Sequence, residues 1–314
     1  MEIIVAEPCG FCYGVRRAVD LAESAVDSLP AATLGQLVHN AQVTDALAAK
    51  GIACKDSLDQ FSAGETVIFR SHGVGPEVYE KAIEKKLKIL DATCPNVKVC
   101  QSKARQAFED GYLPIIVGEK NHPEVKSILA FAGKNAIIIE RKEDIGEVPL
   151  VSKYCVIIQT TFELAKFEEI LQALQTARPG EYRVERTICL ATKERQNAAA
   201  KLAAETDAFI IIGGRNSACQ FFRVGIHCPV VPGDEPFTSI AKRNINAFFI
   251  YLNYFAGNEF ARMHAIVFHT GIKHRLEFVT LYFVDFHVFH RFDSLLNYTF
   301  RSGCSGRDTY FSAP

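Results

Sequence analysis

Short apolar runs separated by longer amphipathic stretches make up the first two thirds of the chain. The runs at Ile3–Ala6, Thr66–Arg70, Lys88–Ala92, Pro114–Gly118, Ala136–Glu140, Tyr154–Thr160 and Ala208–Gly213 are four to seven residues long. Continuous apolar runs of that length predict strands buried on both faces of a parallel sheet. Between them, apolar positions recur at helical spacing over Val15–Ser28, Ala41–Lys50, Glu77–Lys86, Val97–Asp110, Glu124–Ala132, Phe162–Thr176 and Ala191–Thr206. Strand and helix in alternation predict α/β units with a mainly parallel sheet.

A weak repeat marks three turns, at His39-Asn-Ala-Gln-Val, Ser71-His72-Gly-Val-Gly-Pro-Glu-Val and Asn121-His122-Pro-Glu-Val. Each sets a His just before a predicted helix, and Pro76 and Pro123 fall in the first turn, where Pro is favoured. The economical reading is three similar α/β units, each directing a helix N-terminus and a His towards a common place. The pattern fails near Ala218. Beyond it lie 15 of the 23 Phe and 6 of the 9 His, and segments such as Phe286-His-Val-Phe-His-Arg-Phe292 follow neither helical nor strand period. No fold is assigned to residues 218–314.

Composition narrows the class of protein. With 48% hydrophobic and 23% charged residues the chain is globular, and at 314 residues it has room for two or three cores. A net charge of −1 offers no general attraction to nucleic acid or an anionic membrane, so any anion must be held by a local site. The N-terminus carries no basic, apolar leader, and the apolar stretches around Ala247–Ala256 and Phe278–Phe289 fall short of the roughly 20 residues of a membrane span. A cytoplasmic protein is expected.

Ten cysteines without an export signal point to thiols, a metal centre or redox chemistry rather than a disulfide framework. Cys9-Gly-Phe-Cys12, after a strand and before a helix, fits a thiol–disulfide oxidoreductase of glutaredoxin type. The chain is several times longer than that fold needs, and no cis-Pro loop segment follows. Cys12, Cys94 and Cys189 all stand at strand-to-helix corners. A lone buried Cys is most often a small hydrophobe, but three at matching corners suit thiolate ligation, because helix N-termini favour the charged sulfur. Spacing does not name the metal, although a structural zinc site would usually show tighter Cys pairs.

Eight strings carry a resemblance to a known family. They are Gly10-Phe-Cys-Tyr-Gly-Val15, Val38-His-Asn40, Ser71-His-Gly73, Asp91-Ala-Thr-Cys-Pro95, Asn121-His-Pro-Glu-Val125 and Gln159-Thr-Thr161, then Ile188-Cys189 with Ala191-Thr192 and Arg195-Gln196, and last Gly213 with Asn216-Ser217. In this order they resemble the 4-hydroxy-3-methylbut-2-enyl diphosphate reductases, over roughly residues 1–217. The resemblance implies three α/β domains around a 4Fe–4S cluster, with Cys12, Cys94 and Cys189 as ligands and one iron left open. It implies domains at 13–93, at 94–188, and at 1–12 with 189–217. It makes His39, His72, His122 and Ser217 the diphosphate contacts. Glu124 becomes the proton donor and Thr160 its relay, with ferredoxin or flavodoxin supplying electrons. From position alone Glu124 would be a carboxylate favoured by a helix N-terminus.

The resemblance also has limits. Cys9 departs from the basic or small residue usual there. Cys219 stands where the family has Asn, and no Gly-Ala-Ser-x-Pro string follows. Two phosphate contacts are thus lacking, and the third unit is expected to be incomplete. A slip of reading frame near Ala218 accounts for composition, period and motif failing together; a divergent tail on a repurposed or inactive cluster-binding remnant is the other account. A hydro-lyase of aconitase type would use the same three-Cys centre without net electron transfer.

Overall fold

The structure is a computed structural model that describes residue 4, residues 6–28 and 30–205, and the backbone of three strands at 208–213, 239–242 and 245–251. Two four-stranded parallel sheets dominate it. The first has the order β2-β1-β3-β4, from β1 (Ala31–Leu34), β2 (Ala53–Lys55), β3 (Thr66–Phe69) and β4 (Lys88–Asp91). The second repeats that order as β6-β5-β7-β8, from β5 (Leu113–Val117), β6 (Ile137–Ile139), β7 (Lys153–Ile158) and β8 (Glu181–Glu185).

Among the described residues, seven α-helices flank them: α1 (Tyr13–Ser24), α2 (Ala41–Ala49), α3 (Pro76–Glu84), α4 (Pro95–Glu109), α5 (Pro123–Leu129), α6 (Leu164–Ala177) and α7 (Leu190–Glu205). Apolar side chains sort by strand period onto two faces. In the second sheet Ile115, Val117, Val156 and Ile158 pack with Phe167, Ile170 and Leu174 of α6. Ile116, Cys155 and Ile157 turn the other way, against Ala104 and Ala107 of α4 and Val125 and Ile128 of α5. The first sheet is covered likewise, by α1 and α2 on the Ile68 side and by α3 on the Val67 and Phe69 side. The inner strands β3, β5 and β7 are continuous apolar runs because neither face meets water.

This strand order fixes where a ligand can sit. The chain leaves β1 for a helix on one face and leaves β3 for a helix on the other, so the loops after β1 and β3 part and open a crevice at the strand ends. The same happens between β5 and β7. His39 and His72 lie on the first pair of loops, His122 and Thr160 on the second.

The elements depart from the sequence pattern in a few places. Three strands lack a clear sequence signal: β1 is rich in Ala, β2 is an edge strand of three residues, and β8 alternates charged and apolar residues along the other sheet's edge. The expected strand over Tyr154–Thr160 stops at Ile158, which leaves Gln159 and Thr160 in the loop. Ile4 and Ala6 belong to no strand. The strand expected over Ala208–Gly213, β9, is present, and its parallel neighbour is β11 (Ile245–Tyr251). Antiparallel β10 (Ser239–Lys242) completes this third sheet. So two strands lie in the region to which the sequence assigns no fold. The rest of residues 218–314, and Ser217, lie outside the described residues.

The three-histidine turns also sort differently from the three-unit reading. His39 and His72 come from one sheet and His122 from the other.

Candidate functional site

Cys12 is the N-cap of α1 and Cys94 the N-cap of α4, while Cys189 directly precedes α7. The sulfurs of Cys94 and Cys189 therefore stand beside the free N–H groups of a first helical turn. The N–H groups of Asn96 and Val97 point to Cys94, and Thr192 reaches Cys189 Sγ with its N–H at 3.4 Å and its hydroxyl at 3.0 Å. Burial raises the Cys94 pKa and those N–H groups oppose it, with Cys12 and Glu124 adding to the rise.

Glycine brings two of these sulfurs together. A β-carbon at Gly14 would lie 2.5 Å from Cys94 Sγ and 4.0 Å from Cys12 Sγ, so only a bare α-carbon lets the two approach. Hydrogen bonds tie in the rest of the corner. Arg17 donates to the Thr93 carbonyl at 3.3 Å, Arg195 to the Gly10 carbonyl at 2.6 Å, and Cys189 N–H to the Thr160 carbonyl at 3.1 Å.

Glu124 opens α5 and is only 2% exposed. Thr160 gives it two hydrogen bonds, from its N–H to Oε1 at 2.6 Å and from its hydroxyl to Oε2 at 2.9 Å. Burial outweighs both and lifts the Glu124 pKa to about 7, with the Glu119 carboxylate pushing the same way. An acid so placed is part protonated near neutrality, which suits proton transfer.

His39, His72 and His122 form a triangle. Their ring centroids are 4.4, 5.5 and 5.3 Å apart, and one nitrogen of each lies within 4.8 Å of the others. His122 Nδ1 accepts the Glu124 N–H at 3.2 Å, which puts its own proton on Nε2. Desolvation holds all three below the ordinary imidazole pKa, His122 at about 4, and Arg70 adds to the effect on each. Neutral imidazoles result. Among the described residues, both nitrogens of His39 and Nδ1 of His72 are buried without a partner, so they have hydrogen bonds to offer.

Several site residues give no sequence signal beyond their place in a motif. Gln159 accepts the Glu119 N–H and donates to Thr161, both at 2.9 Å, and so shapes the loop that presents Thr160. Gln101 donates to Ser127, whose hydroxyl reaches the carbonyls of His72 and Glu124 at 2.8 Å each. Gly73, at φ +77°, has no room for a β-carbon against Gln101 and Thr93. Arg70, at the end of β3, lies in no motif at all.

Cys54 is exposed and Cys155 is buried in β7. The buried Cys100 thiol faces the Ile158 carbonyl at 3.8 Å, and burial raises its pKa, with the charges of Glu124 and Cys94 helping. Cys9 is exposed, whereas Cys12 faces Gly14 and Cys94, and two sheets of this order do not favour the glutaredoxin-type reading. Among the described residues, no helix is long and apolar enough to cross a membrane.

Comparison with known proteins agrees with this layout. The chain is 41% identical over 222 residues to a 4-hydroxy-3-methylbut-2-enyl diphosphate reductase of Aquifex aeolicus (strain VF5), covering 69% of this chain and 76% of the relative. It is 39% identical over 219 residues to the protein of that name from Citrifermentans bemidjiense, covering 69% and 77%. A solved (E)-4-hydroxy-3-methyl-but-2-enyl diphosphate reductase, described as the terminal enzyme of the non-mevalonate pathway, matches with a TM-score of 0.58 and 41% identity over 69% of this chain and 79% of that one. The solved Plasmodium falciparum E-1-hydroxy-2-methyl-but-2-enyl-4-diphosphate reductase matches with a TM-score of 0.69 and 28% identity, over 78% and 74%. Residues 3–219 match the model of the LytB protein family, to which this chain belongs.

Proposed function

We propose that this chain is a 4-hydroxy-3-methylbut-2-enyl diphosphate reductase, an oxidoreductase at the end of the non-mevalonate route to isoprenoids. The observation that carries the reading is a buried acid, Glu124, its pKa raised to about 7, held by Thr160 between a three-histidine corner and cysteines at helix starts. The reaction removes an allylic hydroxyl as water, using two electrons and two protons.

Cys12, Cys94 and Cys189 would hold an iron–sulfur cluster, proposed as 4Fe–4S with one iron free of protein ligands. The residues suit it: the Gly14 surface lets two sulfurs meet, and Cys94 and Cys189 have helix N–H groups to stabilise a thiolate. Bound there, the cluster would supply electrons singly and Lewis acidity at its open iron.

The remaining work falls to side chains. His39, His72 and His122 present neutral N–H donors to the diphosphate, with Ser217 proposed as a further contact. Once Glu124 is protonated, its Oε2–H can donate to the Thr160 hydroxyl, reversing the present hydrogen bond, while the hydroxyl's own proton passes to the substrate hydroxyl. The unit boundaries at 13–93 and 94–188 suit this arrangement, since each unit supplies one parallel sheet and one crevice. Electrons would come from ferredoxin or flavodoxin, in the cytoplasm.

The test is anaerobic purification followed by turnover with a reduced one-electron donor. Brown protein with iron and sulfide in equal amounts, forming isopentenyl and dimethylallyl diphosphates, is expected. Colourless protein holding only zinc would refute the proposal. Cys219 and the missing Gly-Ala-Ser-x-Pro turn favour a second reading, a cluster-binding chain with feeble turnover. Two lost charge-assisted contacts at roughly 1.5–3 kcal/mol each would weaken substrate binding about a hundredfold or more. Brown protein with a greatly raised KM identifies that case, and translation of the other two frames past codon 218 shows whether the turn was lost to a frame slip.

A further inference from the structure

The three histidines account for hydrogen bonds to a diphosphate but not for its charge. All three are held neutral, so they offer donors without a net positive field. A ligand with two to three negative charges, brought out of water, calls for a cation nearby.

Arg70 is placed to be that cation. It follows β3 directly and stands two residues before His72, at the mouth of the first crevice. Its Nη1 lies 3.2 Å from where a β-carbon of Gly35 would be, so the guanidinium rests on the loop that runs from β1 to His39. Gly35 has φ +71°, a conformation in which a larger residue would be strained. Arg70 is thus wedged between the two loops that carry His39 and His72, whose rings are 4.4 Å apart.

Its charge is also unspent. Arg183 and Arg186 pair with Asp110 and Glu168, and Arg178 donates to the backbone carbonyls of Ile145, Gly146 and Val148. Arg70 makes no ion pair or side-chain hydrogen bond among the described residues, and its Nε is buried without a partner. Burial lowers its pKa but cannot discharge an arginine near neutrality. All three imidazoles feel its field. The same field repels a divalent cation, which three neutral imidazoles at this spacing could otherwise attract.

We propose that Arg70 supplies the fixed positive charge of the diphosphate pocket and sets its preference for anions. This rests on reading the three-histidine corner as the diphosphate site. The role needs charge rather than a forked pair of bonds, so lysine should replace arginine.

The experiment is calorimetric titration of inorganic diphosphate into anaerobic, full-length holoenzyme at several salt concentrations. Arg70→Met should raise the Kd about tenfold or more and flatten its dependence on salt, while Arg70→Lys stays within about threefold of the original protein. In turnover, Arg70→Met should raise KM and leave kcat within about threefold, a split that general loosening of the fold would not give. Should Arg70→Met melt early, Arg70→Gln carries the same comparison, and the original protein must in any case bind diphosphate less tightly as salt rises. Binding by Arg70→Met within about threefold of the original, with the same salt slope, would overturn the proposal. So would Arg70→Lys binding as weakly as Arg70→Met. An Arg70 effect on diphosphate in a chain without turnover would keep this inference and sink the reductase reading. Turnover with no Arg70 effect would do the reverse.

Discussion

The two parallel sheets follow one plan and carry different chemistry at matching positions. His39 and His122 each lie five residues past the first strand of their sheet. Ser71 and Thr160 each lie two residues past the third strand, and their carbonyls accept the N–H of Cys94 and Cys189 respectively. There the likeness stops. Two residues after His39 comes exposed Ala41, and two after His122 comes buried Glu124. The Ser71 hydroxyl closes on the Leu37 carbonyl at 2.9 Å, while the Thr160 hydroxyl turns to Glu124. Asn40 caps α2 in the first unit, and in the second His122 caps α5 itself. A repeated scaffold has kept its cysteine corner in both copies and placed an acid in one.

The largest expected effect concerns the shared corner. Cys94→Ser and Cys189→Ser should each cut bound iron about tenfold or more, whereas Cys54→Ser should leave it unchanged. Gly14→Ala belongs with the first two. It should gain helix propensity of up to about 1 kcal/mol and still lose iron, because its methyl occupies the place of Cys94 Sγ. Elemental analysis decides, and strongly unequal losses at Cys94 and Cys189 would break the equivalence of the two corners.

Next comes the acid that only one unit has. Glu124→Gln should keep the iron and lower turnover about 10²–10⁴-fold. Moving the acid should not help. Glu124→Ala with Ala41→Glu is expected to remain inactive, since position 41 is exposed and has no Thr160 to hold a carboxyl. Restored turnover in that double variant would make the two crevices interchangeable.

A smaller effect follows from the charge state of Glu124. Its pKa in the fold is about 7, against an ordinary value of 4.5. The fold therefore favours the protonated form. That contribution is whole below about pH 4.5 and is lost as pH rises through 7, roughly 3 kcal/mol in all. Denaturant titrations of iron-free protein should show stability falling over this window, and Glu124→Gln should remove most of the fall. A slope unchanged by the substitution would show that burial does not govern this carboxyl.

The smallest effects separate the two hydroxyls. Ser71→Ala should cost about 1 kcal/mol of stability and leave turnover within about threefold, since its bond is to the backbone. Thr160→Val should cost similar stability but lower turnover about tenfold or more, through the lost relay. Equal kinetic effects would mean that Thr160, like Ser71, only closes a loop.

Much of the site is legible in the order of the amino acids. Cys12, Cys94 and Cys189 stand out by their place between an apolar run and a helix, and all three do lie at helix starts. A shared turn pattern links His39, His72 and His122, and their rings lie side by side. What the chain hides has a common cause. Strand β1 is made of Ala, Ala, Thr and Leu, a weak strand signal, and takes its place because β2 and β3 pair with it from both sides. Arg70 gives no sign because an arginine at a strand end is ordinary; being left without a partner under a loop is not.

Sequence alone determined the kinds and order of the helices and of the inner strands β3, β5 and β7, since apolar period and capping residues act within a few residues of chain. It also determined which side chains stand at strand-to-helix corners, because those corners are local. Tertiary structure decided which corners correspond. Parallel pairing in the order β2-β1-β3-β4, and again in β6-β5-β7-β8, aligns Ser71 with Thr160 and His39 with His122, where the turn pattern groups the three histidines. It decided the partner of β9 as well, through hydrogen bonds to residues more than thirty positions away. The state of Glu124 belongs here too: a carboxylate at a helix start is ordinarily ionised, and only burial against distant loops lifts its pKa to about 7. Pairing and desolvation depend on groups far apart along the chain, and no local pattern encodes them.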